Sequence, residues 1–219
     1  MKANFAIFAA VTLIFLSTNL FGQTVTLDKI EIDNSVKSPD DGTQIMTKGV
    51  ESVEDWVAII AHYRVDMSKV KPKTPIDNGK WLDDVEVKWE VCYKPEGAAM
   101  KMQNFVKMVK KVKYNSVAHG KRRAVILISP KHIERYFNGG KKSFLRELKV
   151  RFSMKVGGKT VKGMTVYLDK GRPDKTAKFK SVFESEDTFS LDGILLNRNE
   201  SPFKSAQTDS FEIIVEDKK

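Results

Sequence analysis

The stretch Trp81–Tyr93, WLDDVEVKWEVCY, decides the fold. Val85, Val87, Trp89, Val91 and Tyr93 fall at every second position, and Asp84, Glu86, Lys88, Glu90 and Cys92 fill the gaps. A period of two places successive side chains on opposite faces of a pleated strand. The spacing predicts a half-buried strand with Trp89 as the inward anchor of a two-sheet core. Burying one such side chain contributes roughly 2–3 kcal/mol. The same alternation puts Cys92 on the charged side, facing solvent.

The neighbours repeat the pattern. In WVAIIAHYRVDM, Val57, Ile59, Ala61, Tyr63, Val65 and Met67 alternate with positions that include His62, Arg64 and Asp66. TVTLDKIEIDN, from Thr24, reads as a first strand that runs into a turn carrying Pro39, Asp40, Asp41 and Gly42. A loop with Pro72, Pro75 and Asn78-Gly79 separates the second strand from the third. MKMQNFVKMVKKVKYN fits two periods: Phe105, Val109 and Val112 have helical spacing, while Val106, Met108, Val112 and Tyr114 fit a strand with a lysine inside it. A strand is expected over 102–114, because strands flank it. RRAVILIS is a buried strand. Ser129, Pro130 and Gly139 then mark the start and end of a helix of about two turns that could bridge the sheets.

Leu148, Val150, Phe152, Met154 and Val156 alternate with Lys149, Arg151, Ser153 and Lys155, and Gly157-Gly158 supplies a two-residue hairpin turn. Gly163 is expected to mark a bulge. AKFKSVFES reads as a further strand. DTFSLDGILLNRNESPFKS reads as a long surface connection in which Phe203 folds back onto the sheets. SFEIIVEDKK closes the chain as a strand with Phe211, Ile213 and Val215 inward. About eight or nine strands with one short helix and no βαβ alternation make an all-β chain, an immunoglobulin-like β-sandwich with Greek-key links. The inter-sheet cystine of antibody domains is missing, since Cys92 has no mate.

The chain has 219 residues, 41% hydrophobic and 30% charged, enough for one domain with a proper core. Lys2, the apolar run Phe5–Leu16 and the break at Ser17-Thr18-Asn19 form a secretory signal peptide over residues 1–22, with a cut after Gly22. That run is short against the roughly 20 residues of a spanning helix. No cysteine lies near the cut, which excludes a bacterial lipoprotein. Residues 23–219 are expected as a single exported domain, in the periplasm, at the cell surface or outside the cell, with no stable membrane span after cleavage. The net charge is +10, and the signal carries only Lys2, so about +9 remains. Such a charge favours anionic partners without naming one. A lone cysteine forms no internal disulfide. Cys92 as a nucleophile would need a base beside it; an intermolecular disulfide is a second reading, and an inert small side chain is the simplest.

Catalytic motifs are missing: there is no GxSxG, HExxH, CxxC or phosphate loop, and no cofactor is implied. His62, His119 and His132 have no metal-ligand spacing between any two. Asp40-Asp41, Asp83-Asp84 and Glu184/Glu186 are acidic pairs that could meet calcium, but no DxDxDG pattern organises them. Two basic clusters remain, Lys107, Lys110, Lys111 and Lys113, and Lys121, Arg122 and Arg123. If strands 102–114 and 121–129 pair as a hairpin, the seven converge into one ligand-binding patch for an anionic polymer or an acidic partner. The plainer reading is a solvated face whose charges blunt edge pairing. Nucleic acid would want aromatics interleaved with the base, and Phe105 and Tyr114 serve better as core. An alternative function is a glycan-active or other hydrolytic accessory domain, which would need two facing carboxylates. A third is an envelope subunit whose edge strand adds to a partner's sheet.

The order signal, WVAIIAHYRV, VEVKWEVCY, RRAVILISPKHIERYF and NRNESPF…FEIIVE resembles a family of small exported immunoglobulin-fold proteins of Akkermansia and related Verrucomicrobia, encoded beside type IV pilus genes. The resemblance spans most of the mature chain and rests on strand order, a tryptophan strand and a late Asn-x-x-x-x-Pro-Phe turn. It implies a non-enzymatic envelope or pilus-associated protein whose partner is an envelope or pilus protein or an anionic polymer. It carries over no catalytic residue. The short N-terminal apolar run is unlike the long helix by which major pilins pack into a filament.

Overall fold

Trp81–Tyr93 is a strand, and its inward residues Val85, Val87, Trp89, Val91 and Tyr93 are all sealed from solvent. The computed structural model describes residues 24–36, 56–68, 80–95, 97–99, 101–137, 140–169 and 180–205. Among these, β1 (Thr24–Val36), β2 (Trp56–Asp66) and β5 (Gly120–Ile128) form an antiparallel three-stranded sheet in the order β1-β2-β5. The larger sheet holds β3 (Trp81–Tyr93), β4 (Val106–Ala118), β6 (Lys149–Val156), β7 (Lys159–Thr160), β8 (Val166–Asp169) and β9 (Phe189–Ser190). Its order is β7-β6-β3-β4-β9, with β8 also paired to β6. The chain crosses between sheets after β2, after β4 and again after β5. Because β5 lies beside β2 and β6 beside β3, the first and last of these crossings interlock. This is an immunoglobulin-like β-sandwich.

The core follows from the alternation. Val57, Ile59, Ala61, Tyr63, Val65 and Met67 of the second-strand stretch face Val85, Val87, Trp89 and Val91, together with Val150, Phe152 and Met154 of β6. Trp89 meets Phe152 edge-on at 4.7 Å between ring centroids. The stretch with two possible periods is a strand from Val106 onward, with Met108, Val112 and Tyr114 buried. Gly120, at φ 106°, stands at the corner where β4 of one sheet passes into β5 of the other. No L-residue adopts that backbone without strain.

Helices differ from the single one expected. α1 (Pro130–Tyr136) starts as read, with Ser129 accepting from the His132 backbone N–H and proline at its first turn. A second helix, α2 (Gly140–Glu147), follows and shares the crossing. Phe137 and Phe144 stack at 4.4 Å and both reach Tyr93, so the crossing is held by an aromatic cluster. AKFKSVFES is not a strand where it is described: Lys180–Glu184 forms α3. Its two buried residues, Val182 and Phe183, are adjacent, which suits one face of a helical turn and not the alternation of a strand. Gly163 sits at φ 81° in the turn between β7 and β8, where Met164 N–H donates to Val161 O, and does not bulge a strand. Gly157 and Gly158 form the expected hairpin turn, at φ 53° and 75°.

The late connection is more than a surface loop. β9 pairs in parallel with β4, Leu196 bridges to Leu127 through two backbone hydrogen bonds, and Ile194 and Leu195 join the core. Phe203 folds back edge-on to Trp56 at 5.6 Å. The expected signal peptide, the expected turn at Pro39–Gly42, the expected loop with Pro72, Pro75 and Asn78-Gly79, the expected helix stop at Gly139 and the expected closing strand from Ser210 lie outside the described residues. No helix among the described residues is long and apolar enough to cross a membrane.

Candidate anion-binding face

The outward side chains of β4, β3 and β6 make a ladder whose rows are set by register. One row is Lys113–Glu86–Lys155, and the next is Lys111–Lys88–Ser153. Then come Val109–Glu90–Arg151 and Lys107–Cys92–Lys149. Seven of these twelve positions are Lys or Arg and two are Glu, so this face concentrates the chain's positive charge.

Its lower half is sealed. α3 and the turn at Met102–Asn104 cover it, so Cys92 packs with Phe105, Val182 and Phe183 in a second apolar cluster. Cys92 was expected to meet solvent; it is 0% exposed. Burial pushes its thiol up to about 12, and the positive charge of Lys107 opposes that only in part. A thiol so protonated is no nucleophile near neutral pH. Glu90 was also expected to be wet and is 2% exposed. It receives hydrogen bonds from Arg151, has Lys88 Nζ at 3.1 Å and lies 3.9 Å from Lys107 Nζ. Burial alone would raise its pKa; the hydrogen bonds and charges of Arg151 and Lys88 outweigh it and hold the carboxyl below its ordinary range. Lys107 donates to Phe183 O at 2.7 Å, and the Arg151 guanidinium lies 5.3 Å from the Phe183 ring centre. These contacts seat α3 on the sheet.

The upper half is open. Lys111, Lys113 and Lys155 are exposed and Glu86 is half-buried. Among the described residues none of these four makes an ion pair. They stand on the strands of a packed sheet, so their backbone positions are fixed.

The seven residues named from sequence do not converge. β4 pairs with β3 and β5 with β2, so the hairpin that would join the clusters does not form. Lys107 lies in the sealed half. Lys110 faces inward, opposite Trp89, and its Nζ pairs with the Glu200 carboxylate at 2.6 Å. Glu200 is itself fixed by a reciprocal capping box with Asn197, so the late Asn-x-x-x-x-Pro-Phe turn is tied to β4. Arg122 turns back to the corner, donating to the Ala118 and His119 carbonyls at 3.0 Å. Lys121 and Arg123 lie on the outer face of the three-stranded sheet, opposite Arg64 and His62. His62 adds little charge there, since burial, then Lys29 and Arg123, lower its pKa. Only Lys111 and Lys113 fall together on the open face. Lys88 and Lys155 join them from β3 and β6. Their signal was present in the outward positions of both strands, but not in any local run of basic residues.

Among the described residues no group of three His, Cys, Asp or Glu side chains could hold a metal ion. No curated protein matches the chain. Among solved structures, the fold is similar to a crystal structure from Akkermansia muciniphila, at 19% identity and a TM-score of 0.66, covering 90% of this chain and 94% of that one. A family profile matches residues 19–218, nearly the whole chain. The chain therefore belongs to the family its strand order resembles, the small immunoglobulin-fold, pilus-associated proteins of Akkermansia and related Verrucomicrobia.

Proposed function

We propose that this protein is an exported, non-enzymatic envelope module, associated with a pilus, that docks an anionic polymer through the open half of its basic face. Family membership supports the pilus association and the export. One observation carries the binding role: Lys111 and Lys113 on β4 and Lys155 on β6, the strands that flank β3, are exposed and make no ion pair among the described residues. Solvated lysines on a fixed lattice attract polyanions through charge and counterion release, which makes such binding salt-sensitive. Lys121, Arg123 and Arg64 form a smaller basic strip on the other sheet.

The test is retention of the domain lacking residues 1–22 on immobilised heparin, eluted by a salt gradient. Wild type is expected to be retained at low salt and released as salt rises. Lys111→Glu, Lys113→Glu and Lys155→Glu together should abolish retention, while Lys121→Glu with Arg123→Glu should shift it less. Unchanged retention of the triple variant would remove the docking role from this face.

A further inference from the structure

Glu86 interrupts the open half of the basic face at its centre. Its register partners are Lys113 on one side and Lys155 on the other. Strands lie about 4.8 Å apart, so the two lysines rise from points roughly 10 Å apart with the carboxylate between them. Lys111 stands one pleat from Lys113, about 7 Å along the strand. Lys88, the cation nearest Glu86 along its own strand, is turned the other way, toward Glu90 at 3.1 Å. An approaching polymer therefore meets positive, negative, positive across the strands. Tyr167, the aromatic beside the lower rows, is taken up against Phe183 at 5.7 Å.

This pattern discriminates by charge spacing. A polyanion with a charge on every unit sets one of them over Glu86 whenever two others reach Lys113 and Lys155. At about 4 Å in water, one such like-charge contact weakens binding roughly fivefold. A linear polysaccharide with one acidic group per disaccharide leaves an uncharged ring over Glu86 while its carboxylates fall on the flanking lysines. We infer that Glu86 is the specificity residue of this face, and that the face takes a linear polysaccharide carrying one acidic group per disaccharide. This rests on the anion-docking reading above and narrows it to one polymer class.

Two probes of equal length separate the cases: hyaluronan oligosaccharides, with one carboxylate per disaccharide, and heparin oligosaccharides, with several charges per disaccharide. Binding is titrated at one fixed salt concentration. Glu86→Gln is expected to tighten heparin binding about fivefold and to move hyaluronan binding less than twofold. Lys113→Gln and Lys155→Gln should each weaken hyaluronan binding. If Glu86→Gln changes both polymers equally, or neither, the specificity role is overturned. Wild type that binds heparin but not hyaluronan overturns the polysaccharide class while leaving anion docking intact. If Lys113→Glu with Lys155→Glu leaves both polymers bound as before, the docking reading itself fails.

Discussion

The outer face of the larger sheet has two halves built from the same three strands, with opposite fates. Around Cys92 and Glu90, helix α3 and the turn at Met102–Asn104 close over the strands, and charged side chains end up paired underneath. Around Glu86, a few residues along the same strands, nothing among the described residues covers the face, and lysines stay free. Alternation along a strand tells which side a residue takes. It does not tell whether that side is wet. Whether it is depends on what the rest of the chain lays over it.

The largest expected effect lies in the sealed half. Glu90→Ala would leave Arg151 beneath α3 without its counter-charge, and breaking a buried pair by removing one partner costs about 3–5 kcal/mol. Urea unfolding measures this directly, and a loss below about 1 kcal/mol, the range of exposed pairs, would mean that water reaches the cluster. The pH dependence carries a sign. Glu90 has a lowered folded pKa, so the unfolded chain takes up its proton first as pH falls. The stabilisation is complete well above the ordinary carboxylate value of about 4.3 and is lost as pH falls below it toward the folded value. Glu90→Gln should flatten that acid limb.

A smaller effect is expected from the cover. Phe183→Ala removes the side chain that seals Cys92 and carries the Arg151 contact, at a cost of about 3 kcal/mol. The informative readout is the thiol. In wild type it should resist a disulfide reagent at pH 8, because burial holds its pKa near 12. In Phe183→Ala it should react within minutes. If wild type reacts as quickly as the variant, the two halves do not differ in solvent access and the comparison breaks.

The same contrast marks what the sequence could show. The inward positions of the second strand, and those of the third from Val85 onward, could be read from their period, because a two-sheet core accepts few alternatives at Val57–Met67 and Val85–Tyr93. Leu82, also in the core, breaks that period on the far side of Asp84, which stands at φ 51°. The dry outer positions could not. Cys92 and Glu90 are covered by α3, a five-residue helix more than 80 residues later in the chain, and no local pattern announces such a contact. Lys110 shows the reverse. Its parity placed it inside, and its charge argued for the surface. It lies on the inward face, with Glu200 from the late turn as partner. The basic site was half legible: Lys111 and Lys113 come from one run, whereas Lys155 joins them only through the β3–β6 register. Adjacent basic residues in sequence, such as Lys121, Arg122 and Arg123, point to alternate faces of a strand and cannot form one patch by themselves.

The smallest expected effect on stability is in the open half, and there a null result carries the meaning. Lys111→Gln, Lys113→Gln and Lys155→Gln together should change unfolding free energy by no more than about 0.5 kcal/mol, as exposed charges without partners do. A slight gain is the favoured direction, because Lys111 stands directly opposite Lys88 and like charges across a strand pair repel. The same triple variant should lose its retention on heparin. Stability unchanged with binding lost means that these lysines serve a ligand and not the fold. A loss of 2 kcal/mol or more would instead mean that they hold the sheet together, as Arg151 and Lys107 do beneath α3, and the two halves would then differ only in cover and not in purpose.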